Sequence, residues 1–499
     1  MQKIESYNIK VENSTCTINI EGVGKKATDY KITLPKLTEP TLALLDSIKN
    51  KIVTEISLTT AELLDIKSID ELKIKFKKRA EELMKEDFPN IELQVANILI
   101  TRLLHDMLGI GEIEYLLSDE ALEEIVINSS KEPVRVYHKK YGWLNTNIFI
   151  DSENKIANYS EVIARRVGKQ ITTLEPLLDA HLITGDRANT VMYPISNKGH
   201  TLTIRKFARD PWTIVDFIKN KTCNAQAFAL IWISIQYEMN IIFSGGTATG
   251  KTSFLNSILP FMPPNQRILT IEDTRELMPN KELYWTPLVT RLPNTEGKGG
   301  ISMLDLLVNA LRMRPDRIIL GEIRRQKEAE VLFEAMHTGH SVYSTLHANT
   351  LTETISRLTN PPISVPINLL QAVDLNIVMF RDRRTGIRRV SQIGEFIVSD
   401  EKGNSTIRTN MLYRWKPVDD KLILHSASLR LFENISRVTG MTQQEINKEI
   451  KERENILNYL VKNNIRKIGD IGKIMEKYYQ DSDNLIKNIK KNNIKEILR

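Results

Sequence analysis

The segment NIIFSGGTATGKTSFLNSI (240–258) joins an apolar run, a glycine-rich turn and a helix-forming run. Gly245 and Gly250 enclose four residues and are followed by Lys251 and Thr252. This is the G-x-x-x-x-G-K-[ST] pattern in the strand–turn–helix context it requires. Glycines let backbone N–H groups curl around phosphate oxygens, and a helix N-terminus adds partial positive charge. Gly245, Gly246, Thr247, Ala248, Thr249, Gly250, Lys251, Thr252 and Ser253 are the expected phosphate cradle. Lys251 is expected on the β- and γ-phosphates and the Thr252 hydroxyl on magnesium. No N-K-x-D guanine-reading motif occurs, so ATP with Mg2+ is the expected pair.

Magnesium needs oxygen donors and an attacking water needs a base or an orienting group. In open parallel sheets such groups belong at the carboxyl ends of strands. RILTIEDTREL (267–277) ends its apolar run at Glu272 and Asp273, and PDRIILGEIRR (315–325) ends at Glu322. Gly321 stands where many triphosphate-hydrolysing sites carry an aspartate, so the ion is expected to keep more of its own hydration. Either Glu272 orients or deprotonates the water with Glu322 on the magnesium side, or the roles are reversed. HTGHSVYSTLHANT (337–350) adds His347 at a third strand end, within reach of a γ-phosphate or of a neighbouring acid. His340 precedes that strand and reads as structural. No cysteine or close histidine pair accompanies them, which argues against zinc.

The elements that must hold these groups alternate strand and helix from about 220 to 400, the pattern of a parallel sheet with helices on its faces. Upstream, 7–34 reads as short strands, and 38–54 and 69–108 read as helices. A second region from 109 to about Pro211 has strands at VRVYH and TLTIRKF and a helix near YSEVIARRVGKQ. KFARDPWTIVDFIK (206–219) reads as a linker running into a helix. The last hundred residues read as mostly helical. There is no internal repeat.

The 499 residues suggest about three or four domains. Hydrophobic residues make up 41% and charged residues 26%, which excludes wholesale disorder. Cys16 and Cys223 are too few and too far apart for a disulfide framework or a zinc module. The longest apolar run, AFALIWISI (227–235), is far short of the roughly 20 residues a membrane span needs. A soluble chain is therefore expected, touching membranes through its surface or a partner. Aromatics are 6%, and no basic stretch is interleaved with stacking residues, so no nucleic acid is expected as partner.

GGTATGKT, TIEDTRE, MRPDRIILGEIR and TGHSVYSTLHANT stand in the order of the secretion ATPase superfamily, which this sequence resembles. Members drive type II secretion, type IV pili, conjugation-type type IV secretion and the archaeal motility filament. GIGEIEYLLSDEALEEIVIN and EPVRVYHKKYGWLNTN are similar to the archaeal branch, and the glycine before Glu322 is the superfamily's usual form. The resemblance implies an α/β chain whose RecA-like P-loop ATPase core, with a parallel sheet, follows a PAS-like α+β N2 domain. It implies an N-terminal accessory domain at 1–108, N2 at 109–211, a linker at 212–219, the ATPase domain at 220–400 and a C-terminal helical region at 401–499. It further implies a homohexamer, with Arg187 and Arg205 of N2 approaching the nucleotide phosphates and Arg312 and Arg314 serving a subunit interface. The implied partner is an integral membrane platform protein, with pilin-like subunits contacted indirectly, at the cytoplasmic face of the cell membrane. The basic tail (487–499) is read as a solvated helix end or a contact with anionic lipid. The implied function is powering assembly or export of pilin-like subunits by an archaeal pilus-like system; an archaellum motor and a nucleic-acid translocase are the alternatives. Two departures stand out. The four-cysteine module of many bacterial members is missing, and GEIRRQ replaces GEIRD or GEVRG, leaving Arg325 without a matched role.

Overall fold

The computed structural model describes residues 2–497 apart from 13, 25, 35–37, 56–65, 183–184, 208–209, 292, 294–296, 402–403 and 494–495. Part of the expected basic tail therefore lies outside the described residues. The chain divides into two compact units, Met1–Asp210 and Pro211–Arg499.

The first unit contains strands β1 (Gln2–Val11), β2 (Ser14–Val23), β3 (Lys26–Thr33), β4 (Leu122–Ile127), β5 (Arg135–His138), β6 (Gly142–Thr146), β7 (Leu177–His181), β8 (Arg187–Val191) and β9 (Thr201–Arg205). Its helices are α1 (Glu39–Glu55), α2 (Ile66–Asp87), α3 (Leu93–Leu108), α4 (Ile113–Ser118) and α5 (Glu153–Arg166). The strands form one sheet in the order β1-β2-β3-β6-β5-β4-β9-β8-β7. Every pairing is antiparallel except β3 with β6. The boundary expected at 108/109 thus falls inside one sheet, because β1–β3 continue it. Asp119, nearly fully buried, ties the two stretches: its Oδ2 accepts from the Tyr7 hydroxyl at 2.7 Å and the Tyr30 hydroxyl at 2.8 Å. Helices α1–α3 keep a small core of their own around Ile48, Ile52, Phe76 and Leu99.

The second unit contains β10 (Ile241–Gly245), β11 (Arg267–Glu272), β12 (Tyr284–Val289), β13 (Arg317–Leu320), β14 (Ser341–Leu346), β15 (Leu375–Arg381), β16 (Arg388–Glu401), β17 (Asn404–Lys416) and β18 (Lys421–Leu424). Its helices are α6 (Ile214–Lys219), α7 (Ala225–Gln236), α8 (Lys251–Ser257), α9 (Met303–Ala310), α10 (Gln326–His337), α11 (Leu351–Thr359), α12 (Leu431–Thr439), α13 (Gln443–Lys462), α14 (Ile468–Gln480) and α15 (Ser482–Lys490). The sheet order is β12-β11-β13-β14-β10-β15-β16-β17-β18. The strands from β12 to β15 are parallel, as the alternating pattern predicts, and β15–β18 form an antiparallel extension. The sheet therefore runs past residue 400, and helices take over only at Leu431.

β10, β13 and β14 are buried throughout, which is why their sequences lack the polar–apolar alternation of a one-sided strand, the buried Arg317 being held by Gln266, Tyr343 and the Ile235 carbonyl. Pro287 is accommodated because β12 is an edge strand. The apolar run at 227–235 forms α7, buried along nearly its whole length and capped by Asn224, whose side chain accepts from Ala227 N–H. Trp232 of α7 stacks on Phe261 at 5.1 Å and meets Tyr478 of α14 edge-on at 4.7 Å. Such pairs add about 0.5–1.5 kcal/mol each beyond area burial. Glu395, fully buried in β16, accepts from the N–H groups of Leu429, Arg430 and Leu431 and so caps the start of α12. The C-terminal helices consequently share one apolar core with α7, β10 and β15.

Candidate phosphate-binding site

The parallel register brings four strand ends to one edge. Ile271 of β11 pairs with Leu320 of β13, Leu320 with Ser344 of β14, and Ser344 with Ile242 of β10. The residues that follow are Glu272, Glu322, His347 and the glycine-rich turn. β14 stands between the phosphate-loop strand and the strand leading to Glu322.

At Gly245 a Cβ would lie 2.6 Å from Thr249 Oγ1 and 2.7 Å from the Met379 carbonyl oxygen, so only glycine lets β10 turn there. Gly250, at φ +94°, takes the left-handed conformation that starts α8. Lys251 is buried, and Nζ donates to the carbonyls of Gly245 at 2.8 Å and Gly246 at 3.1 Å. Burial lowers its pKa, opposed by the charges of Glu322 and Glu276. The ammonium is thus desolvated and poised for a strong anionic partner. Thr249 Oγ1 donates to the Gly246 carbonyl, and Arg388 Nε to the Ala248 carbonyl at 3.1 Å. Thr252 is half-buried, and Ser253, Thr247 and Ala248 are exposed.

Glu272 is buried at the end of β11. Its Oε1 accepts from Glu276 N–H at 2.9 Å and Leu277 N–H at 3.2 Å, while Oε2 has no hydrogen-bond partner among the described residues. Burial pushes its pKa up to about 7, against those two N–H groups. A side chain at Gly321 would begin 3.4 Å from the Ile271 carbonyl oxygen and 3.7 Å from Glu272 Cγ. An aspartate there would set a second carboxylate against the buried one, which gives the glycine a physical reason.

Glu322 is engaged on both oxygens. Oε1 lies 3.1 Å from His347 Nε2, and Oε2 accepts from Arg324 Nε at 2.8 Å. Arg324 Nη1 reaches Asp273 Oδ2 at 2.5 Å, and Asp273 Oδ1 accepts from the Thr290 hydroxyl. Burial and the Lys251 charge hold His347 below the ordinary histidine range, with Glu322 pulling the other way. Lys251, Glu322 and His347 therefore share one electrostatic neighbourhood.

The remaining expected residues lie elsewhere. Arg187 and Arg205, in the first unit, face each other across β8 and β9; Arg187 pairs with Asp179, and Arg205 stands opposite Glu124 of β4. Arg312 and Arg314 are exposed beyond α9. His340 Nδ1 sits 3.3 Å from the Ala335 carbonyl, at the end of α10, in keeping with a structural role. Arg325 opens α10, its N–H capped by Glu328. Arg324 and the N–H pair holding Glu272 were missing from the sequence reading; the one available signal was the doubled arginine after Glu322.

Fold and site together define a P-loop α/β protein with paired strand-end acids. Residues 183–410 match the model of the Type II/IV secretion system protein family. An uncharacterized protein of Methanocaldococcus jannaschii is 35% identical over 386 residues, covering 76% of this chain and 69% of that protein. The type IV secretion system protein PtlH of Bordetella pertussis is 30% identical over 304 residues, covering 54% of this chain and 88% of PtlH. Among solved structures, the Legionella pneumophila ATPase DotB aligns at 18% identity and TM-score 0.39, covering 76% of this chain and 94% of DotB. The chain belongs to the type II/IV secretion system protein family.

Proposed function

We propose that the chain hydrolyses ATP at the carboxyl edge of the second sheet and that turnover powers assembly or export of pilin-like subunits. The observation that carries the reading is that Lys251, Glu272, Glu322 and His347 follow the carboxyl ends of four adjacent parallel strands, with Lys251, Glu322 and His347 in one electrostatic neighbourhood. Lys251 holds the β- and γ-phosphates, exchanging its two loop carbonyls for phosphate oxygens. The Thr252 hydroxyl and Glu322 would be the oxygen donors for Mg2+. The all-oxygen, hard-donor character of this pair fits such an ion. When bound, the ion screens phosphate charge.

Glu272 takes the proton of the attacking water on Oε2 while its Oε1 stays held by two N–H groups. With a pKa near neutrality it is basic enough to accept that proton and acidic enough to lose it again. His347 steers Glu322. Following the family's pattern, the working assembly is a homohexamer, Arg187 and Arg205 face the phosphates, and a membrane platform protein receives the motion. No helix among the described residues is long and apolar enough to cross a membrane.

The experiment is ATP binding and phosphate release by purified protein, with Lys251→Ala alongside. Mg2+-dependent phosphate release by wild type, lost by at least about 100-fold in Lys251→Ala, is expected. Wild type that neither binds ATP nor releases phosphate refutes the reading. Stimulation by single-stranded DNA would point to the translocase instead.

A further inference from the structure

The segment 273–283 leaves the end of β11 and carries more than chain connection. Its Glu276 and Leu277 N–H groups hold Glu272 Oε1. The next N–H, of Met278, donates to Asn256 Oδ1 of α8 at 2.7 Å. The segment thus ties the acid to the helix that follows the phosphate loop. Two residues on, buried Asn280 donates from Nδ2 to Glu282 Oε2 at 2.8 Å, and its Oδ1 is buried without a partner among the described residues.

That turn rests on α14. A Cβ at Gly472 would fall 2.4 Å from Asn280 Nδ2 and 2.7 Å from Glu282 Oε2. A glycine inside a helix costs about 1 kcal/mol relative to alanine, so its use here marks a close approach. α14 is itself firmly anchored. The Tyr479 hydroxyl donates to the Phe261 carbonyl, and Trp232 Nε1 donates to that hydroxyl at 3.0 Å. Ile471, Ile474 and Met475 lie in the same core as Leu277 and Leu283.

We propose that α14, bearing through Gly472 on Asn280, is the positioning element for Glu272, which makes the C-terminal helices part of the hydrolytic apparatus. This rests on Glu272 acting as the base. The path is short: α14 to Asn280, Asn280 to Met278 and Leu277, and Leu277 to the carboxylate. Gly472 and Asn280 are positioning residues, and neither touches the reacting atoms.

Gly472→Ala displaces the Asn280 and Glu282 side chains from α14 and so loosens the turn. Amide exchange at Glu276, Leu277 and Met278 is expected to quicken by about tenfold. kcat for ATP is expected to fall by about tenfold with KM within about twofold, the mark of a misplaced base as opposed to weakened binding. Gly472→Ala combined with Asn280→Ala removes the nearer collision, leaving only Glu282 Oε2 at 2.7 Å, and is expected to restore part of both losses. Asn280→Ala alone, which cannot clash, is expected to quicken the same amides by about threefold, so the contact is tested even where Gly472→Ala misfolds. Unchanged amides in Asn280→Ala, unchanged amides and kcat in Gly472→Ala, or a double variant no better than Gly472→Ala, would each overturn the proposal. The exchange measurement needs no turnover, so an inactive wild type sinks the hydrolytic reading while the amides still judge the brace.

Discussion

His347 Nε2 lies 3.1 Å from Glu322 Oε1, joining the loops that follow β14 and β13. With its pKa held below the usual range, the imidazole is neutral at pH 7 and its Nε2–H serves as a donor to the carboxylate. If His347 acts through Glu322, the two should fail as one unit. His347→Ala and Glu322→Gln are each expected to lower kcat by at least about tenfold, and the double variant is expected to be little worse than the poorer single. Steady-state phosphate release decides this; multiplicative losses would separate the two roles.

Glu272 predicts the pH dependence. Its carboxyl must be ionised to accept a proton, so kcat should rise with pH through about 7 and level off above it. For stability the sign is opposite. A carboxyl whose folded pKa lies above its unfolded value of 4.5 binds more protons when folded, so its contribution is present below that value and lost as pH rises to about 7. Glu272→Gln should therefore abolish turnover and yet be more stable than wild type at pH 8, by at most about 3 kcal/mol at roughly 1.4 kcal/mol per pH unit. Thermal melts at pH 8 and pH 4.5 measure it, and the gain should vanish at the lower pH.

Arg324 joins acids from two neighbouring strand ends, taking Oε2 of Glu322 and Oδ2 of Asp273. Its side chain is more than half exposed, so its removal should cost little stability, under about 1 kcal/mol. Arg324→Ala is expected to free a Glu322 oxygen. The Mg2+ concentration for half-maximal rate should fall while the maximal rate drops by about tenfold. Arg324→Lys should resemble Arg324→Ala, because a single ammonium cannot reproduce a fork that grips two carboxylates. A Mg2+ titration of turnover checks both.

Arg187 and Arg205 stand directly opposite across β8 and β9, a like-charge pairing that disfavours the bare sheet and is offset by Asp179 and Glu124. Replacing either with alanine should leave the melting temperature within a few degrees and lower kcat by about tenfold or more, as loss of a phosphate-facing guanidinium does. A pair that only braces the sheet would show the reverse: lower melting temperature, unchanged turnover.

What could be read in advance was local. The phosphate loop and the ends of β11, β13 and β14 announce themselves by glycine spacing and by uninterrupted apolar runs, features that need no distant partner. Tertiary partners stayed hidden. Arg324 finds Asp273 across 51 residues, and Asn280 meets Gly472 with no local sign on either side. β12 carries Pro287, which hides a strand unless its edge position is known. β17 and β18 fell within a stretch read as helical, since β17 pairs antiparallel with β16 and β18 with β17, beyond the end of the strand–helix alternation. The joining of β3 to β6 rests on two residue pairs more than a hundred positions apart.

The shared core of the second unit bears on how the protein comes into being. Leu277 beside the acid loop packs in one apolar cluster with Ile471 and Ile474. At roughly 5–20 residues per second, about 10–40 s of synthesis separate them. The strands flanking the phosphate-loop strand, β14 and β15, are complete by residue 381, while Trp232 and Phe261 still lack the cover of α14. A chain that has not yet reached α14 thus leaves an aromatic face of the second unit's core open to water until residues 468–480 are made.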